Sequence, residues 1–251
     1  MFINDIHILS YVLVGFIGLF VGQFIDWCNK RLPEYKKVIS KEFFSEYLRD
    51  LKPNYLLMVT NAIMYIALLY SFGWSLDFSK FALLVPMLIS AFCIDLKLQI
   101  IPNRLTLTIF EVGIIFTILS AIFNTNTGIN TLTNNLLGMV VGAGIFLIIT
   151  FVGGLIAGKE AMGFGDVKLM GALGLFTGWL NIIIVSVLSF LLAAIISIAI
   201  LIMKKGKFND YIPFGPFIVI SALITVFVPS NILLTIVLKI FSLGMFKGTL
   251  A

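Results

Sequence analysis

The sequence predicts an all-α, polytopic membrane protein with about eight transmembrane helices. Three observations predict it. The 251 residues are 60% hydrophobic and 12% charged, where an average soluble domain carries about 25% charged residues. The apolar residues gather into runs of about 20, the length that crosses a bilayer core. The basic residues collect in alternate loops, as the positive-inside rule requires of a membrane protein. A soluble chain of mean hydropathy +1.11 would expose too much apolar surface. The longest polar stretch, Cys28 to Pro53, is too short for a domain of its own. Residues 1–251 therefore read as a single integral-membrane domain.

In chain order the spans fall at roughly 8–27, 54–76, 79–96, 105–123, 134–157, 167–180, 182–203 and 215–240. A tail with Asp5 and His7, and no Lys or Arg, precedes the first. Positive charge follows it instead, in "NKRLPEYKK", the reverse of a secretory signal. An uncleaved first helix with its N-terminus outside is expected, and His7 reads as a solvated surface histidine. The sixth and seventh spans come from one tract split by "TGWLN". Pro229 is expected to kink or end the eighth, leaving the tail at the interface.

Loop charge sets the orientation. The 28–53 loop carries Lys30, Arg31, Lys36, Lys37, Lys41, Arg49 and Lys52. Lys97 and Arg104 sit near 97–104, Lys159 and Lys168 in 158–168, and Lys204, Lys205 and Lys207 in 204–211. The alternate loops hold only Lys80. The basic loops are thus expected at the cytoplasm and both termini outside. The net charge of +5 is spent on orientation and does not point to nucleic acid. Within 28–53, Phe43, Phe44, Tyr47, Leu48 and Leu51 recur at helical spacing. They form either a short amphipathic surface helix or a connector with an apolar face. Cys28 and Cys93 belong to no C-x-x-C pair, so neither a zinc site nor a disulfide framework is indicated.

Charged side chains inside apolar tracts are expensive and mark function. Asp26, Asp95, Glu111, Glu160 and Asp166 lie within or beside such tracts. Asp95 ends the third span and Asp166 begins the sixth, so both reach the same depth on the cytoplasmic side. Such a pair suits peptide hydrolysis. One carboxylate acts as base toward water and the other, protonated, donates to the scissile carbonyl; the two share a proton and titrate as a unit. Position alone leaves another reading open, in which both acids are ordinary helix-end residues, Asp166 favoured by a helix dipole. A transporter that uses the same acids for cations or protons is a further alternative, although no internal repeat of the kind transporters show is visible.

The flanking residues favour catalysis. Gly163 and Gly165 bracket Phe164 before Asp166 and leave room for a substrate backbone. Gly171 and Gly174 follow at a spacing that lets a second helix pack closely. Pro102, after Asp95, suits a helix start, with Asn103 and Thr106 polar at the same junction. "YIPFGPF" at 211–217 places Pro213, Gly215 and Pro216 at the cytoplasmic start of the last span. Non-helical backbone there is tolerated only where it is buried in protein or lines a cavity.

Four segments together resemble the bacterial type IV prepilin leader peptidases, membrane aspartyl proteases of the G-x-G-D kind. They are "GLFVGQFIDWCNKRLP" (18–33), "CIDLKLQIIPNRLT" (93–106) with its Asp, six residues, Pro pattern, "GKEAMGFGDVKLMGALG" (158–174) and "IPFGPF" (212–217). The resemblance implies that Asp95 and Asp166 are the catalytic pair. It implies prepilin or pseudopilin precursors as substrates, cut after a glycine that ends a short basic leader, at the bacterial cytoplasmic membrane. It implies no cofactor for proteolysis. Many members also methylate the new N-terminus with S-adenosylmethionine. The chain departs from the pattern in two places. The zinc-binding C-x-x-C pairs of many members are missing from 28–53, so zinc is not expected. Gly22-Gln23-Phe24-Ile25-Asp26 stands where Gly-Ser-Phe-Leu-Asn is usual, which bears on methyl transfer more than on proteolysis. Another G-x-G-D protease and a secretion scaffold are the remaining alternatives. Lys168 is expected to touch lipid phosphate, tune the pair's charge or snorkel. Lys159 and Glu160 are expected to position the loop or to form a solvated pair. Glu111 should face protein or a cavity, and Asp26 should pair with Arg31 or a basic residue of the first loop.

Overall fold

A computed structural model of the chain describes residues 2–4, 6–38, 53–123, 127–157, 162–203 and 212–242. The amphipathic segment around Phe43–Leu51, Lys159 and Glu160, and the 204–211 loop lie outside the described residues. A short N-terminal hairpin pairs Phe2–Ile3 with Ile6–His7. His7 is exposed, and its Nδ1 accepts the Leu9 N–H at the start of α1. That is a capping role beyond the solvated histidine expected.

Helices make up the rest: α1 (Ile8–Arg31), α2 (Tyr55–Phe72), α3 (Leu76–Leu98), α4 (Asn103–Phe123), α5 (Gly128–Ala157), α6 (Phe164–Met203), α7 (Gly215–Phe227) and α8 (Ser230–Phe241). The first six are long and apolar enough to cross a membrane. Phe16, Phe20, Leu56, Ile63 and Phe123 are exposed on their outer surfaces, which suits lipid and would not suit water. The chain is an all-α, multi-pass membrane protein.

Two stretches show how sequence sets the passes. α6 has 40 residues, but Gly178 breaks it with φ +78°, a left-handed angle that glycine adopts without penalty. A Cβ built on Gly142 of α5 would meet both Met170 O, at 2.5 Å, and Ile182 Cγ1, at 2.8 Å. Residues 170 and 182 would be about 18 Å apart along a straight helix, so the chain folds back at Gly178. The expected sixth and seventh spans are the two arms of this reversal. The expected eighth span is also divided. Pro229, extended at φ −54° and ψ 139°, separates α7 from α8, and α8 returns Leu233 and Val237 to the bundle as buried residues.

Polar side chains set the helix starts. Ser75 Oγ accepts the Phe78 N–H at 3.1 Å to begin α3, and Asn54 Oδ1 accepts the Leu57 N–H to begin α2. Close crossings bind the bundle. Asn61 donates to the Gly18 carbonyl at 2.9 Å, where α1 and α2 meet backbone to backbone. A Cβ on Gly174 would strike the Gly138 carbonyl of α5, so the spacing read from Gly171 and Gly174 does serve helix contact. The expectation for Glu111 is overturned. It stands exposed on α4, in register with exposed Leu107 and Ile115, because positions four apart share one helix face and that face turns away from the bundle.

Candidate active site

Helix ends build this site. Asp95 lies in the last turn of α3, and its carbonyl accepts the Gln99 N–H that closes the helix. Gln99 takes the left-handed angle φ +56°, and the chain turns at once toward Pro102. The Pro102 carbonyl accepts the N–H groups of Leu105 and Thr106, at 3.0 and 3.2 Å, so proline starts α4 as expected. Asp166 sits in the first turn of α6, its N–H bonded to the Gly163 carbonyl at 3.1 Å. There the positive end of the helix dipole favours a carboxylate. Gly215 begins α7 after the non-helical Ile212–Phe214, with Pro216 in its first turn, where a missing N–H costs nothing. Phe214 is anchored among Phe146, Phe190 and Phe217.

These ends converge on the two aspartates. The Gly215 N–H donates to Asp95 Oδ2 at 3.0 Å across 120 residues of sequence. A Cβ on Gly215 would stand 2.6 Å from that oxygen, and one on Gly163 would stand 3.7 Å from Asp166 Oδ2. Asp95 is 5% exposed and Asp166 6%. Ile101 packs against Gly215, whose N–H bonds Asp95, and against Gly165, which precedes Asp166, so the two carboxylates are neighbours. Among the described residues neither forms an ion pair. A buried carboxylate without a cation is costly as architecture and characteristic of functional sites. Paired carboxyls of this kind can hold one shared proton and divide acid and base roles between them.

The structure brings together Asp95, Pro102, Gly163, Gly165, Asp166 and Gly215, with Pro213 and Pro216 framing the last of them. Lys168 is placed differently. Its Nζ donates to Asn103 Oδ1 at 2.8 Å and lies 5.1 Å from the centre of the Phe164 ring. It therefore ties the start of α6 to the start of α4. Asp26 pairs with Lys30 at 2.5 Å and accepts from Asn54 Nδ2 at 3.0 Å, while Arg31 stacks on Trp27 and donates to the Lys37 carbonyl. Gln23 Oε1 accepts the Asn54 N–H at 2.9 Å. The two unusual residues of the first motif thus hold the start of α2.

Ile101 escaped the sequence reading. A Cβ on Gly165 would lie 3.2 Å from Ile101 Cβ, and one on Gly215 would lie 3.2 Å from Ile101 Cδ1. This side chain therefore touches the backbone beside both aspartates. The one sequence signal was its place before Pro102. Among the described residues, no three His, Cys, Asp or Glu side chains gather into a metal site, and Cys28 and Cys93 are free.

No solved structure matches the chain. A prepilin leader peptidase/N-methyltransferase of Aeromonas hydrophila is 32% identical over 139 residues, 55% of this chain and 46% of that one. The Legionella pneumophila protein of the same name is 30% identical over 158 residues, 63% and 53% of the two chains. That of Neisseria gonorrhoeae is 31% identical over 166 residues, 66% and 54%. The chain spans about half the length of these curated relatives. Residues 82–198, which carry both aspartates, match the type IV leader peptidase family.

Proposed function

We propose that the chain is a membrane aspartyl endopeptidase that removes the basic leader from type IV prepilin or pseudopilin precursors at the cytoplasmic face of the bacterial inner membrane. Asp95 and Asp166 are its catalytic pair, held in a single membrane domain. The observation that carries this reading is a pair of buried, neighbouring carboxylates with no ion-pairing cation among the described residues, framed by glycine backbone. The ionised carboxylate takes a proton from water as the water oxygen attacks the scissile carbonyl carbon. The protonated carboxyl donates to the carbonyl oxygen. The tetrahedral diol then collapses: the C–N bond breaks, the leaving amine takes the proton held by the base, and one hydroxyl proton returns to the carboxylate that had donated. Gly163, Gly165 and Gly215 carry no side chain that would crowd the aspartates or Ile101. Pro102, Pro213 and Pro216 fix the segments that carry them, and Lys168 holds α6 to α4.

Purified protein with a precursor peptide tests the reading. One cut after the leader glycine, seen by mass, is expected; an intact peptide would overturn it. The same spectrum reports on methylation, which the relatives' names include. S-adenosylmethionine would supply the methyl group. Gln23 and Asp26 of the first motif hold Asn54 at the start of α2. With the cofactor added, a mature product heavier by one methyl group would show that methylation is retained, and one at its unmethylated mass that it is not.

The orientation is supported by Lys97, Arg104 and Lys168, which lie at helix ends that carry the site, under the positive-inside rule. In a variant without Cys28 and Cys93, a cysteine placed within 124–130 should react with an impermeant maleimide on intact cells. One placed within 204–211 should react only after the cells are opened. The reverse pattern would put the site outside.

A further inference from the structure

Three glycines leave the backbone bare around the aspartates, and one side chain closes the space. Ile101 packs against Gly165 next to Asp166 and against Gly215 next to Asp95, each at 3.2 Å from a built Cβ. It is half-buried. Its position is also stiff. It precedes Pro102, which confines its backbone to the extended region, and Pro102 is buried and bonded into the start of α4. The left-handed Gln99 and the α3 end fix the other side of the turn. An extended peptide laid along the glycine backbone between the two carboxylates therefore meets Ile101 as a fixed wall.

We infer that Ile101 is the specificity-determining residue of the site: it fills the space that a side chain on the leader residue at the cut would need, and so imposes glycine there. This rests on the peptidase reading above. Glycine passes the wall because it has no Cβ; alanine must displace a branched side chain that Pro102 and two backbone segments hold in place. A single methyl group in an apolar pocket is worth roughly 10–200-fold in discrimination.

Two precursor peptides differing only in Gly or Ala before the cut make the test, with kcat/KM measured for each. Wild type should favour the Gly peptide by about a hundredfold. Ile101→Ala removes three carbons from the wall and should narrow that preference about tenfold, through faster cleavage of the Ala peptide. Ile101→Val should narrow it less, and Ile101→Leu, which restores the volume, should restore the preference. If the preference stays at the wild-type value in Ile101→Ala, or both peptides simply slow together, Ile101 is packing alone and the inference fails. Should Ile101→Ala not accumulate, Ile101→Val decides by the same ratio. Failure of the peptidase reading looks different: wild type would then cleave neither peptide.

Discussion

Asp95→Asn and Asp166→Asn should each lower leader cleavage by about a thousandfold or more, the scale on which loss of general acid–base catalysis is felt, while both proteins accumulate in the membrane as wild type does. The second half of this outcome carries as much information as the first. Asparagine keeps the shape of aspartate and removes only the charge. At a structural acid, that loss would break an ion pair and weaken the fold. Here no cation faces either carboxylate among the described residues, and both are buried. Neutralising them removes a desolvation cost. Membrane abundance by immunoblot, thermal unfolding of the purified variants and a gel-shift cleavage assay read the two halves separately. Normal cleavage by either variant would remove the pair from the mechanism. Loss of cleavage together with loss of the protein would return the acids to a structural role. The transporter alternative predicts neither result.

Much of the fold was legible because hydropathy reads the chain in the direction the membrane tests it. A run of about 20 apolar residues has few other uses, and Asp95 and Asp166 stood out because a charge at the edge of such a run is costly. What escaped depends on the angle around a helix axis or on contacts distant in sequence. Glu111 was placed by depth alone, and depth cannot tell the inward face of α4 from the outward one. Lys168 reads from sequence as a lipid contact, a tuner of the pair or a snorkelling side chain, because its partner Asn103 lies 65 positions away. Gln23 and Asp26 were departures from a family pattern until Asn54, in another helix, gave both a partner. "TGWLN" was read as a dividing loop. The structure needs only its glycine, because φ +78° at Gly178 reverses the chain without further residues. Pro229 was legible as a breaker for the reason that makes it one: it has no N–H to give a continuing helix. Ile101 was the hardest to see, since an apolar residue among apolar residues carries no signal until two glycines from distant segments close on it.

Gly215→Ala should cost about a hundredfold in kcat, close to the effect of removing one well-placed electrostatic donor, although alanine adds a single carbon. The added Cβ would sit 2.6 Å from Asp95 Oδ2 and 3.0 Å from its Cγ, well inside van der Waals contact. Something must shift, and the surroundings decide what. Backbone relief is blocked because Gly215 and Pro216 are buried in the first turn of α7 and Phe214 is packed among three other rings. The Ile101 side chain, 3.2 Å from the same Cβ, blocks retreat on its side. The carboxylate is the group with a free torsion, so Asp95 rotates away. It then loses the 3.0 Å hydrogen bond from the Gly215 N–H and its alignment with Asp166. A fault in positioning of about 1 Å is enough for this loss. Gly144→Ala is the control, since nothing lies within 4 Å of its built Cβ; it should cleave as wild type. If Gly215→Ala retains full kcat with normal abundance, Asp95 does not need this donor, and α7 contributes to the site only as a wall.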